Sequence, residues 1–245
     1  MNSKKPFNYG EGRHIHFIGI AGTLIAPLAV AMKDSGWKVT GSDMAFYPPM
    51  STYLEGNNIE IIPGFNPEKF NKIGKPDLAV MMGFLNQDNP EVKYMIDQNI
   101  ELIGLGQLIE RFFLRENSIV VTGIFGKTTI TSLLAWILEV SAYNPTVLAG
   151  GYIHNFGGGV KIGKSDWSVS EGDEFEGWDI SRDYKFERLA RILYQKPTHI
   201  IFTDATWDHY DQYKSESEYL NTYIEMIKQV PEEGLVIGYK FGKNV

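Results

Sequence analysis

"VTGIFGKTTITSLLAWIL" occupies residues 121–138, and the fold turns on how it is read. An apolar stretch, "SIVVTG", runs into a short loop, "IFGK", and then into "TTITSLLAWILEV", a run compatible with a helix. Strand, glycine-containing loop and helix are the setting of a phosphate-binding loop, whose common pattern is G-x-x-x-x-G-K-[ST]. Gly126, Lys127 and Thr128 fill the end of that pattern, with Thr129 behind them, but Val121 stands where its first glycine belongs. The earlier glycine is instead Gly123, which gives T-G-x-x-G-K-T-T. The physical parts survive this change. Loop N–H groups and a helix N-terminus can cradle β- and γ-phosphates. Lys127 can offset their charge, and the Thr128 hydroxyl can hold Mg²⁺. A Gly-Lys-Thr start to an ordinary helix is the plainer alternative, and the strand before and helix after argue against it.

On either side of this loop the chain alternates strands and helices. "HIHFIGI" (14–20) reads as a buried strand, followed by "TLIAPLAVAMKDSG" with helical apolar spacing. "WKVTGSD", "IEIIPGF", "DLAVMMG" and "IELIGL" read as further strands, with "EVKYMIDQN" as a helix between the last two. "WSVSEGDE", "THIIFTD" and "GLVIGYKFG" are strand candidates beyond the loop, and "YKFERLARILYQ" (184–195) reads as helical. Such alternation predicts α/β architecture with parallel sheets and crossover helices. The expected organisation is a Rossmann-like domain over residues 1–116, followed by a phosphate-loop ATP-binding domain over 117–245.

The first strand leads into a second glycine turn, at Gly19 and Gly22. A full G-x-G-x-x-G fingerprint needs a third glycine where Phe17 stands. A pyrophosphate can still approach backbone N–H groups at the following helix start. Asp43 ends the next strand, roughly 20 residues on, where such folds place a ribose-binding acid. The plainer reading is a tight turn with Asp43 at a solvated strand end.

Composition narrows the class. The chain has 245 residues, 43% hydrophobic and 22% charged, as expected of a packed protein. Lys and Arg total 23 against 30 Asp and Glu, a net charge of -7, which argues against a nucleic-acid binder. With no cysteine, disulfides, thiolate metal sites and a Cys nucleophile are excluded. No apolar run reaches the ~18 residues of a membrane span. "MNSKKPFNYGEGR" lacks the apolar core of a secretory signal, so a cytoplasmic enzyme is expected.

Residues 122–129 resemble the loop T-G-T-x-G-K-T-T/S of the Mur ligase family, the ATP-dependent amide-forming ligases of peptidoglycan synthesis. "SEGDE" (170–174) is similar to its E-x-D-E segment, "TWDHYDQY" (206–213) to D-H-x-D-x-Y, and "GFLNQDNPEV" (83–92) to a loop ending in Asn-Pro-Glu. "HIHFIGIAGT" resembles the branch whose acyl substrate is UDP-N-acetylmuramate. "GSDMAFYPPMSTYLE" (41–55) and "AGGYIHNFGGG" (149–159) resemble the recycling enzymes, which attach the tripeptide L-alanyl-γ-D-glutamyl-meso-diaminopimelate; free L-alanine is the alternative amine. The resemblance implies that ATP phosphorylates the muramoyl carboxylate and that an amine then displaces phosphate. It implies roles for Lys127 on the β/γ-phosphates, for Thr128 and Glu171 on a first Mg²⁺, and for His209 on a second. Gly123, Gly126 and Thr129 complete the ATP loop. Gly19, Gly22, Thr23, Ser42, Asp43, Asn89, His154 and Asn155 are the expected sugar-nucleotide contacts. His14 and His16 read as structural, and Lys185 is the one candidate for the carbamylated lysine that several family members carry.

Three departures stand out: Ile124 replaces Thr, Phe125 replaces a polar residue, and Ile130 follows the threonine pair. The family's third domain, which reads the amine, has no counterpart in the sequence, so the expected activity is either a ligase when complete or a binding module without turnover. A nicotinamide-dependent oxidoreductase is the third class considered; Phe17 and Lys127 argue against it.

Overall fold

The computed structural model describes residues 12–238, whose packing divides into two compact units. Unit 1 holds the chain up to Leu105 together with Trp178–Glu187; unit 2 holds Gly106–Gly177 and Arg188 onward. The reading of "MNSKKPFNYGEGR" falls almost wholly outside the described residues, as does the end of "GLVIGYKFG".

Unit 1 is built on β1 (His14–Ile18), β2 (Lys38–Asp43), β3 (Glu60–Pro63), β4 (Leu78–Met81) and β5 (Glu101–Gly104). They form one sheet in the order β3-β2-β1-β4-β5, with every pairing parallel. β1 and β4 are buried throughout, as befits central strands covered on both faces. Helices α1 (Ile25–Asp34), α2 (Met50–Gly56), α3 (Phe70–Ile73) and α4 (Pro90–Asp97) connect the strands. The glycine turn follows β1, where the strand order reverses, the position at which open α/β sheets bind ligands.

Unit 2 begins with α5 (Leu105–Phe112), which starts one residue before the division between units. Its sheet has the order β13-β12-β6-β9-β7-β8. These strands are β6 (Asn117–Thr122), β7 (Thr146–Ile153), β8 (Gly158–Lys161), β9 (Trp167–Glu171), β12 (His199–Phe202) and β13 (Leu235–Gly238). Only the β7–β8 pairing is antiparallel. Helix α6 (Lys127–Val140) follows β6, and α7 (Glu216–Ile227) follows β12. α7 was not among the expected helices, yet its start carries a cap legible in the sequence: Ser215 Oγ accepts the Glu218 N–H at 3.2 Å.

β10 (Glu176–Ile180) and β11 (Phe186–Ala190) form a separate two-stranded ribbon. This corrects the helical reading of residues 184–195, of which only Arg191–Tyr194 makes a 3₁₀ turn. Cross-strand aromatic packing explains the outcome, with the Trp178 and Phe186 rings 5.9 Å apart. The ribbon tip belongs to unit 1. Trp178 Nε1 donates to Leu85 O at 2.6 Å, and Tyr184 OH donates to Ile100 O at 2.8 Å. Ile180 joins the core formed by Ile18, Met81, Val92 and Met95.

Candidate functional site

The carboxyl end of β6 carries the phosphate-type loop. Gly123 has φ +113°, and a Cβ there would lie 2.6 Å from Asp204 O and 2.7 Å from Asp204 N, so no side chain fits. The Ile124 N–H donates to Asp204 O at 3.1 Å, pinning the loop to the segment that follows β12. Gly126 is left-handed, with φ +80°, immediately before Lys127 opens α6. Phe125 is 73% exposed, so its replacement of a polar residue leaves the backbone path of the loop intact.

Glu171 ends β9, paired in register with Val121 of β6. Its carboxylate accepts the Gly150 N–H at 3.0 Å and hydrogen-bonds the Thr128 side chain. Burial pushes the Glu171 carboxyl up, while Thr128, Gly150 and the Lys127 ammonium pull against that shift. A half-buried carboxylate beside a hydroxyl at a helix start fits Mg²⁺, which takes one or two carboxylates and completes its shell with water and phosphate oxygens. Among the described residues no group of three or more His, Asp or Glu gathers as a self-sufficient metal cage.

Lys127 Nζ lies 3.6 Å from Glu174 Oε1, and His209 Nε2 lies 3.5 Å from the same oxygen. Glu174 thus brings together two residues that the sequence reading singled out, though it was itself passed over inside "SEGDE". Its legible signal was an acid three residues past Glu171, flanked by Phe175. His209 has φ +55°, and its ring meets Phe175 edge-on at 4.2 Å. Gln195, also unforeseen, donates from Nε2 to Glu171 O at 2.5 Å.

The expected sugar-nucleotide contacts divide. In unit 1 the N–H groups of Gly19 and Ile20 donate to Ser42 O at 2.8 and 3.0 Å, and the Ala21 N–H to Asp43 Oδ2 at 2.9 Å. Asp43 therefore braces the turn. Gly22 is half-buried and Thr23 exposed at the start of α1. The Ser42 hydroxyl is fully buried and donates to Glu91 Oε2 at 2.5 Å. Asn89 caps α4, its Oδ1 accepting from the Glu91 N–H at 2.9 Å. The side chains of Ser42 and Asn89 are thus engaged within the protein. In unit 2, His154 and Asn155 lie exposed on a 3₁₀ turn after β7. Lys185 is exposed and pairs with Asp183 at 2.8 Å.

Beneath the unit 1 turn, Glu91 is fully buried and also meets His16 Nε2 at 3.1 Å and the Lys69 ammonium. Burial alone would raise the Glu91 pKa, but His16, Lys69 and Ser42 outweigh it and hold it low. His14 and His16 both reach Thr40 Oγ1, at 2.8 and 2.7 Å, as the structural reading of these histidines expects.

Residues 14–116 match the Mur ligase family, catalytic domain, and residues 121–240 the Mur ligase middle domain. The chain belongs to the Mur ligase family. Among Mur ligase relatives, the UDP-N-acetylmuramate–L-alanyl-gamma-D-glutamyl-meso-2,6-diaminoheptandioate ligase of Haemophilus influenzae is 32% identical over 92% of this chain and 48% of its own length. The UDP-N-acetylmuramate–L-alanine ligase of Dictyoglomus turgidum is 34% identical over 93% of this chain and 45% of its own. The chain spans about half the length of the curated relatives it matches. In the solved structure of UDP-N-acetylmuramate:L-alanyl-gamma-D-glutamyl-meso-diaminopimelate ligase from Neisseria meningitides, 72% of the chain superposes on 94% of this one, with a TM-score of 0.82 and 28% identity. The Mur ligase middle-domain match takes in the loop, Glu171, Glu174 and His209 together. No helix among the described residues is long and apolar enough to cross a membrane.

Proposed function

We propose that this chain carries the nucleotide- and sugar-binding machinery of an ATP-dependent amide ligase that joins UDP-N-acetylmuramate to an amine. The observation that carries the reading is the grouping of the Gly123–Gly126 loop, Lys127, Thr128 and Glu171 at the carboxyl ends of the adjacent central strands β6 and β9. Its elements suit phosphoryl transfer, in which positioning and charge stabilisation do most of the work. A muramoyl carboxylate oxygen attacks the γ-phosphorus, and the bond to the ADP oxygen breaks. The amine nitrogen then attacks the acyl carbon, phosphate leaves, and nitrogen loses a proton. Lys127 follows charge onto the transferring group. Thr128 and Glu171 would hold Mg²⁺, which supplies charge neutralisation on the β- and γ-oxygens. The sugar nucleotide is assigned to the Gly19–Gly22 turn, with its diphosphate toward the N–H groups of Gly22 and Thr23.

For the amine we favour the tripeptide over free L-alanine, on the residue 41–55 resemblance to the recycling enzymes. Relatives bearing each activity are 32% and 34% identical, so both amines belong in the assay. Tripeptide-dependent product is expected; preference for alanine reassigns the branch. The main test is Lys127→Ala in the complete protein. UDP-sugar-dependent phosphate release should fall by roughly 10³-fold, with UDP-N-acetylmuramate affinity by calorimetry nearly unchanged. Retained turnover would remove "TGIFGKTT" as the ATP loop. Tight NAD binding in place of the UDP-sugar would overturn the assignment of the first unit. A wild type that binds both nucleotides without releasing phosphate would favour the second reading, a binding module with Ile124 and Phe125 as marks of a degenerate loop.

A further inference from the structure

We infer that Glu174 is a positioning residue: through one carboxylate oxygen it sets the tautomer and orientation of the His209 imidazole and tethers the Lys127 ammonium. The inference deepens the ligase reading and rests on it for the catalytic consequence, though not for the geometry. The Glu174 side chain is 1% exposed. It is anchored from behind by Tyr219, whose OH donates to Oε1 at 3.1 Å, while Tyr223 OH lies 2.8 Å from Tyr219 OH. Tyr213 OH fixes the Glu174 backbone through its carbonyl, at 2.6 Å. The carboxylate is thus held in place before Lys127 and His209 are considered.

The other oxygen, Oε2, is buried with no hydrogen-bond partner among the described residues. The partners that Oε1 does have besides Tyr219 are two residues of the candidate site, at 3.6 and 3.5 Å. Those separations lie within ion-pair range but beyond a good hydrogen bond. Lys127 is therefore held yet exchangeable, so a phosphate oxygen at shorter range can take over its ammonium. For His209 the consequence is a choice of proton position. A carboxylate oxygen 3.5 Å from Nε2 favours, through its charge rather than through a formed hydrogen bond, the N–H dipole on that nitrogen. Nδ1 is then the nitrogen that keeps its lone pair.

The test uses the full chain labelled with ¹⁵N-histidine. Long-range ¹H–¹⁵N spectra at about pH 8, where an ordinary imidazole is neutral, are expected to show His209 as a single Nε2–H tautomer. Glu174→Gln offers both an acceptor and a donor in the same place, so both tautomers should appear. In the complete protein the same variant should lower kcat for UDP-sugar-dependent phosphate release by roughly 10–100-fold. ATP affinity by calorimetry should stay within about threefold. An Nδ1–H tautomer in the wild type overturns the inference, and so does a variant with unchanged tautomer and kcat. If Glu174→Gln does not fold, the wild-type spectrum decides alone. If the wild type releases no phosphate, the ligase reading fails while the tautomer result still stands or falls by itself.

Discussion

Gly123 and Gly126 both sit at positive φ, yet a methyl group would meet very different surroundings at the two. At Gly126 the nearest atom to a built Cβ is Ile130 Cδ1 at 3.8 Å, so Gly126→Ala carries mainly the left-handed backbone penalty, about 1 kcal/mol. At Gly123 the Cβ would enter the Asp204 backbone, whose atoms cannot swing aside as a flexible side chain can. Gly123→Ala should therefore cost ~3 kcal/mol or more and displace the Ile124–Asp204 bond. Urea denaturation of both variants checks the contrast; equal losses would mean that the loop is free to move off Asp204. The unusual glycine spacing of "TGIFGKTT" follows from this crowding. The glycine is needed where the strand end turns beneath the Thr203–Asp204 backbone, and that point falls at Gly123.

A strand can carry two histidines on one face only because its residues alternate, and β1 does so with His14 and His16. Both turn toward Thr40 of β2. Burial lowers the pKa of each below the usual 6.5, that of His14 to about 4. The folded state therefore binds fewer protons than the unfolded chain between about pH 6.5 and about pH 4. This contribution to stability is complete above about 6.5 and is lost as pH falls through that window. Glu91, held below 4.5, adds a loss of the same sign at still lower pH. The urea midpoint of unit 1 should accordingly drop between pH 7 and pH 5, and a flat profile would show the histidines to be solvated. Thr40→Val, which strips both rings of a shared partner, should destabilise by about 2 kcal/mol at neutral pH.

Taken as a whole, the chain is not two consecutive halves. Residues 178–187 lie between strands of unit 2 yet pack with unit 1. Trp178→Ala removes an indole from the core around Met95 and the hydrogen bond to Leu85 O. It should weaken unit 1 by roughly 2–3 kcal/mol, less than a fully buried aromatic. Hydrogen exchange checks this: α4 and β4 should exchange faster, while β6 and β9 stay protected. Faster exchange in the unit 2 strands instead would mean that the ribbon supports its own flanks.

The strand–loop–helix order around Gly126, Lys127 and Thr128 was readable from the linear pattern, because local apolar period and turn chemistry act over a few residues; Glu171 entered only through the family resemblance. Even the exceptional glycine position was readable, though not its cause. Pairings over long sequence separation were not. Glu174, Lys127 and His209 span more than 80 positions, and no spacing rule predicts that one oxygen serves two of them. Ser42 and Asn89 read as sugar-nucleotide contacts through the family resemblance. In the fold the Ser42 hydroxyl donates to Glu91, a partner that no local spacing announces, and the Asn89 side chain caps α4. The "YKFERLARILYQ" segment carries helical spacing, but aromatic packing across the ribbon made most of it strand. Short-range periodicity thus set the elements and the loop. Burial and long-range packing chose which polar groups face one another, since a buried charge is stable only where distant parts of the chain supply its partners.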